Sequence, residues 1–167
     1  MHMSGARMIN ADKSTVWNAL LSAEVLKECV PGAKDLSGTP EDGFEATVVQ
    51  KVGPVKATFK GTVTLSNIVE GESLRLDGEG KGGAAGFAKG GADVRLTETD
   101  EGIELAYDVD AKVGGKLAQL GSRIVDGFAK KMADQFFENL EKVIEGPSED
   151  DAPEEAEKKG WLKRLIS

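Results

Sequence analysis

One cysteine, Cys29, and one histidine, His2, are all that the 167-residue sequence holds of the two side chains most used as metal ligands and nucleophile partners. A single cysteine excludes an intramolecular disulfide framework and any multi-cysteine metal site, and Cys29 reads as a buried structural thiol. With one histidine near the start, no His-Glu-x-x-His pair can form, and no nucleophile elbow or Walker loop is present either. No catalytic residue, metal ligand set or cofactor is therefore expected. Aromatic residues are also scarce, at 5%, while glycines number 21. A core built this way lacks bulky filler, which implies either close backbone packing or space left for a ligand. Cations are outnumbered, giving a formal net charge of −8. No basic stripe interleaved with aromatics offsets this, so nucleic acid is a disfavoured partner. No long apolar run follows the first residues, so no secretory signal is visible and a cytoplasmic location is expected.

What is present is periodicity. Residues 12–21 combine a capping Asp12 with Val16, Trp17, Leu20 and Leu21 at helical spacing, which predicts a short helix. Ser22 can cap a second helix with Val25 and Leu26 on its apolar face, ended by Pro31-Gly32. Residues 3–11 before them show weak alternation and read as an edge strand. From residue 43 the period changes to two. In 55–65, Val55, Ala57, Phe59, Gly61, Val63 and Leu65 alternate with lysine and threonine. In 103–113, Leu105, Tyr107, Val109, Ala111 and Val113 alternate with mostly charged residues. Both patterns predict strands with one dry and one wet face. Segments 44–51, 73–80 and 91–98 read likewise, and the short turns between them imply an antiparallel meander.

Residues 114–144 return to helical spacing, with Leu117, Leu120, Ile124, Phe128, Met132, Phe136, Leu140 and Val143 in one stripe. A sheet with one dry face and a helix with one dry stripe cover each other, so one α+β domain over residues 1–144 is expected. Because a sheet twists around a straight helix, the space between them need not fill evenly. Seven acidic residues and two prolines in 145–157 predict a disordered linker. The end, 158–167, predicts a short basic amphipathic tail with Trp161, Leu162, Leu165 and Ile166 on one side and Lys158, Lys159, Lys163 and Arg164 around the rest. It is far shorter than the roughly 20 apolar residues a spanning helix needs, so surface contact with a membrane is the most it could make.

Several features have two readings. Gly78 to Gly83 (GEGKGG) matches the spacing of a dinucleotide loop but lies between strands, so a bent or merely flexible hairpin is the better account. Tyr107 on the dry face is a core tyrosine or a ligand contact. Gly121 and Gly127 inside the long helical pattern each cost roughly 1 kcal/mol relative to alanine, which suggests a backbone approached closely by sheet, helix or ligand.

Four segments in order then carry a resemblance. These are Pro31-Gly32, Val52-Gly-Pro-Val-Lys-Ala-Thr-Phe-Lys-Gly61, Gly83-Ala-Ala-Gly-Phe-Ala-Lys-Gly90 and Gly114-Gly-Lys-Leu-Ala-Gln-Leu-Gly-Ser-Arg-Ile124. Together they resemble the CoxG family of carbon monoxide dehydrogenase subunits, within the START-like, SRPBCC superfamily, over about residues 3–144. The resemblance implies a helix-grip fold, in which a curved antiparallel sheet wraps a long C-terminal helix and two short helices follow the first strand. It also implies an accessory protein of a molybdenum hydroxylase-type dehydrogenase, holding a respiratory quinone or lipid and recruiting the enzyme to the inner face of the cytoplasmic membrane. Trp17, Phe59, Phe87, Tyr107, Leu120, Ile124, Phe128 and Met132 are the candidate cavity wall. Two other functions compete with the carrier. One is a docking adaptor with a vestigial cavity, and the other a cyclase-type enzyme of the superfamily, for which Tyr107 is the only ionisable candidate on the clean strand faces.

Overall fold

The computed structural model describes residues 1–145. The acidic segment 145–157 beyond Glu145, and the basic tail 158–167 with its expected membrane contacts, lie outside the described residues.

Seven antiparallel strands form one sheet. In chain order they are β1 (His2–Ile9), β2 (Ala33–Thr39), β3 (Gly43–Val52), β4 (Val55–Val69), β5 (Ser73–Lys81), β6 (Phe87–Thr99) and β7 (Gly102–Gly114). Their spatial order is β1-β7-β6-β5-β4-β3-β2. Strands β2 to β7 form a meander, while β1 returns to pair with β7, Ile9 facing Ile103 and His2 facing Asp110. The helices are α1 (Lys13–Leu20), α2 (Ala23–Cys29), α3 (Lys116–Gln119) and α4 (Ser122–Glu145).

Local chemistry starts and stops the short helices where expected. The Asp12 carboxylate accepts the Thr15 amide at 3.2 Å and the Ser22 hydroxyl accepts the Val25 amide at 3.4 Å, each satisfying a donor the first helical turn leaves free. Gly32 follows α2 at φ +78°, a left-handed conformation that lets the chain reverse into β2.

Two expectations need correcting. Strand β2 goes unread in the sequence because Leu36 is its one large apolar side chain. The helical pattern over 114–144 is also not one helix. Strand β7 continues to Gly114, α3 makes a single turn, and Gly121 at φ +90° breaks the path before α4 begins. A side chain at Gly121 or Gly127 would meet nothing within 4 Å. Neither glycine thus marks a close approach: Gly121 makes a bend, and Gly127 faces open space.

Burial is graded along the molecule. Ile9, Trp17, Leu96, Ile103, Leu105, Phe137 and Leu140 form a dense core at the end where β1 leaves the sheet and α4 finishes. Along β7, Ile103 and Leu105 are buried, whereas Tyr107, Val109 and Ala111 on the same face are only half-buried. The inner face of β4, from Val55 to Leu65, is half-buried throughout. Helix α4 is fastened at the dense end. Asn139 Nδ2 donates to the Cys29 carbonyl at 3.0 Å. Arg7 of β1 pairs with Asp134 and lies over the Phe137 ring, 5.4 Å from its centroid. Burial pushes the Cys29 thiol up to about 12, with the Glu28 carboxylate adding to the shift.

Three outcomes follow in denaturation and labelling. Gly127→Ala is expected to raise the urea-unfolding free energy by about 1 kcal/mol, because the helix gains propensity without a clash. Gly5→Ala is expected to lower it by about 1–3 kcal/mol, since the new Cβ would lie 2.6 Å from the Tyr107 hydroxyl oxygen. That ring cannot swing away freely, being stacked on Phe137 at 5.1 Å. Cys29 is expected to resist iodoacetamide in the folded chain at neutral pH and to react once urea unfolds it, as mass spectrometry reads directly.

Candidate functional site: an apolar cavity between sheet and helix

The half-buried inner faces line a partly open cavity of about 590 Å³, within the range that accommodates small-molecule ligands. Strand alternation supplies most of its wall. Phe59, Val63 and Leu65 come from β4, Leu74 and Leu76 from β5, and Ala88, Ala92 and Val94 from β6. From β7 come Leu105, Tyr107, Val109 and Ala111, while Phe44, Ala46 and Val48 of β3 and Leu36 of β2 extend the wall along the far side. Ala133, Phe136 and Phe137 of α4 close it from above, and Leu20, Leu26 and Val30 close it from the short helices.

Small residues create the space. Gly61 of β4 pairs with Gly80 of β5, and Gly78 of β5 pairs with Gly90 of β6, all four bordering the cavity. A Cβ built on Gly80 would meet nothing within 4 Å. A larger residue there would project into empty volume, so the glycine-rich stretch 78–91 thins the wall of a pocket. Its loop is a short 3-10 turn at Gly83–Ala85 between β5 and β6, and no helix follows to present phosphate-binding amides.

The wall offers almost no chemistry. Among the described residues no polar or charged residue is fully buried. Thr62, Glu79 and Lys89 border the cavity, but alternation with Gly61, Gly80 and Ala88 directs their side chains to the outer face. Tyr107 is the one hydroxyl on the inner face. Its oxygen lies over Gly5 and its ring stacks on Phe137. The neighbouring Arg7 is lowered by burial, but Asp134 and the Tyr107 hydroxyl outweigh this, so its pKa rises and it stays a cation. A site so lined can bury apolar surface, at about 25 cal/mol per Å², and orient one polar group at Tyr107.

The eight wall residues inferred from the sequence divide. Phe59 and Tyr107 line the cavity. Trp17 instead packs in the dense core at 4% exposure. Phe87 and Ile124 are each 42% exposed, and Leu120, Phe128 and Met132 are half-buried on α3 to α4 without lining the cavity. The stripe meets the pocket further along, at Ala133, Phe136 and Phe137. Helical periodicity carried that signal, since Phe136 belongs to the stripe, but not the distance along it at which the sheet approaches.

Other concavities are of a different kind. An outer groove of about 480 Å³ runs along β2 to β5 past Asp35, Glu45, Lys60, Thr62, Glu79 and Lys81, a polar surface unsuited to an apolar ligand. His2 sits between Asp108 and Asp110, its Nε2 3.1 Å from one carboxylate and its Nδ1 3.0 Å from the other. All three are exposed, and each imidazole nitrogen is already engaged by a carboxylate. That is a surface cluster on the outer face of the sheet.

Comparison with known proteins agrees with this geometry. A conserved protein from Geobacillus kaustophilus of known crystal structure is 29% identical, with a TM-score of 0.80, over 86% of this chain and 95% of that one. A Chromobacterium violaceum protein superposes at a TM-score of 0.64 with 15% identity, over 87% and 99% of the two chains. The protein Ara h 8.0201 superposes at 0.58 with 12% identity, over 88% and 99%. The last two share the helix-grip architecture of the SRPBCC-like proteins and nothing more specific. No functionally curated protein matches the sequence. The family model for CoxG, a carbon monoxide dehydrogenase subunit, matches residues 5–145, which is the whole of the sheet beyond the first residues of β1 and all of α4. With the fold, the cavity and this match in agreement, the chain belongs to the CoxG family of carbon monoxide dehydrogenase subunits.

Proposed function

We propose that the protein is a non-catalytic accessory carrier. It holds an apolar molecule, a respiratory quinone or a lipid, between sheet and α4, and helps couple a molybdenum carbon monoxide dehydrogenase-type enzyme to the inner face of the cytoplasmic membrane. The observation that carries this reading is the cavity of about 590 Å³, walled by aliphatic and aromatic side chains with Tyr107 as its one inward hydroxyl. An isoprenoid tail gains affinity by leaving water and needs no polar partner. The quinone headgroup needs one or two donors, which Tyr107 and the nearby Arg7 could offer. The family description, a subunit of carbon monoxide dehydrogenase, supports a role beside that class of enzyme.

The chemistry of the wall favours carriage over turnover. A cyclase-type enzyme would need an acid and a base facing its substrate, whereas the cavity wall offers Tyr107, with the Arg7 cation beside it, and no inward carboxylate or imidazole. No helix among the described residues is long and apolar enough to cross a bilayer, so these residues would meet a membrane by surface contact. The basic tail around Trp161 is one candidate for that contact.

Organic extraction of the purified full chain followed by mass spectrometry is expected to release a quinone or lipid at a substantial fraction of one equivalent. The delipidated chain should take up added quinone. Gly80→Phe is expected to fold with wild-type cooperativity, since the new side chain enters open space on a strand, and to bind at least about tenfold less ligand because the phenyl group occupies apolar volume. A clean extract together with no uptake of added quinone by the wild type would overturn the carrier reading.

A further inference from the structure

One end of the molecule combines the reach of the cavity wall, exposed apolar side chains and a concentration of positive charge. The turn between β3 and β4 lies there, with Val52 facing Val55. A Cβ built on Gly53 in that turn would contact Ile124 at 3.6 Å and Leu120 at 3.9 Å, so the turn packs beside the bend between α3 and α4. The β5–β6 loop joins the same cluster, because Gly86 lies against the backbone of Gly114 and Gly115 and Gly82 lies against the Phe59 ring. Phe59, Gly80 and Ala88 carry the cavity wall to this end. Outside it, Phe87 and Ile124 are each 42% exposed.

Charge is sorted between the two ends. Segment 51–56 contributes Lys51 and Lys56, segment 81–89 contributes Lys81 and Lys89, and segment 112–123 contributes Lys112, Lys116 and Arg123. None of the three segments contains a carboxylate. The turns at the opposite end reverse this. Glu41 and Asp42 occupy 39–43, Glu70 and Glu72 occupy 69–73, and Glu98, Asp100 and Glu101 occupy 98–102, with no cation among them. In a chain of net charge −8, three neighbouring segments with seven cations and no carboxylate are not a consequence of composition, and Glu79 of β5 is the acidic residue set opposite Lys89 beside them. Among the described residues only one of these seven cations, Lys81, forms an ion pair, with Glu79 at 3.3 Å. Within the described residues the other six have no carboxylate in ion-pair reach.

We infer that this end docks onto an anionic lipid surface, with Phe87 and Ile124 entering the headgroup layer inside a ring of lysine and arginine that meets lipid phosphates. The inference deepens the carrier reading and rests on it for the purpose of docking, namely to bring the cavity's glycine-lined end to the water–lipid boundary where an apolar ligand can pass without crossing water. An anionic bilayer offers both chemistries at once, negative headgroups outside and acyl chains beneath. The acidic end, turned away, is repelled by the same surface and orients the molecule. This contact is part of the folded domain and separate from the tail around Trp161.

The test is flotation of the full chain with vesicles of phosphatidylcholine alone or with about a third phosphatidylglycerol, at low and raised salt. Wild type is expected to float with the anionic vesicles only, and less at raised salt. The variant Lys51→Gln/Lys56→Gln/Lys116→Gln is expected to bind anionic vesicles on the order of 100-fold more weakly, with an unchanged melting temperature and unchanged ligand uptake from detergent. Phe87→Ser/Ile124→Ser is expected to weaken binding while leaving its salt dependence intact. Trp161→Ala should leave a lysine-dependent contact behind. Equal flotation of the triple-lysine variant and wild type would overturn the inference, as would indifference of the wild type to lipid charge or capture by an acidic protein with no vesicle binding. Lysine-dependent flotation by a chain that holds no ligand supports docking and counts against the carrier alone.

Discussion

The structure depends on an incomplete closure between a twisted sheet and a straight helix. A β-sheet curves as it twists, so a helix laid across it packs closely over part of the dry face and leaves another part uncovered. At the close end, Ile9, Leu105, Phe137 and Leu140 fill the gap, and Arg7, Asp134 and Asn139 fasten the helix there. Over the uncovered part the sheet offers glycine and alanine, Gly78, Gly80, Ala88, Gly90 and Ala111, where bulky residues would have filled the volume. Packing at one end supplies stability, and leaving the other end unfilled supplies a site.

The scarcity of aromatic residues belongs to the same arrangement. Interiors normally reach crystal-like density, and a void forfeits the dispersion contacts its lining would make. A chain that leaves about 590 Å³ open gives up that stabilisation unless something apolar occupies the space. A bound ligand would then be part of the fold's energetics, stabilising the folded state by mass action. The sorted charge extends the asymmetry to the surface, since the small-residue end of the cavity wall is also the end where lysines gather outside.

Much of this was legible in the sequence, and the exceptions have physical reasons. Alternation in 55–65 and 103–113 established which face of β4 and β7 is dry, and so identified Phe59 and Tyr107 as inward residues. Strand β2 is not legible because Ala33-Lys-Asp-Leu-Ser-Gly-Thr39 holds one large apolar side chain and a register shift breaks its alternation. The bend at Gly121 escaped because Leu117, Leu120 and Ile124 keep helical spacing across it. Leu120, Ile124, Phe128 and Met132 share the helical stripe but not the cavity, because periodicity defines a stripe without saying where along it the sheet comes near. The wall on β3, β5 and β6 is hidden for the opposite reason: Gly78, Gly80, Ala88, Gly90 and Ala92 look ordinary one at a time and leave a cavity only in register.

Crystallography under xenon pressure tests the unfilled closure most directly, because xenon occupies dry apolar cavities and leaves filled cores and polar grooves empty. The account predicts xenon density, or density of a retained elongated ligand, between Phe59, Val109 and Phe136, and none in the outer groove beside Lys60 and Glu79. Side chains from α4 and β5 meeting in that space, with neither gas nor ligand between them, would contradict it.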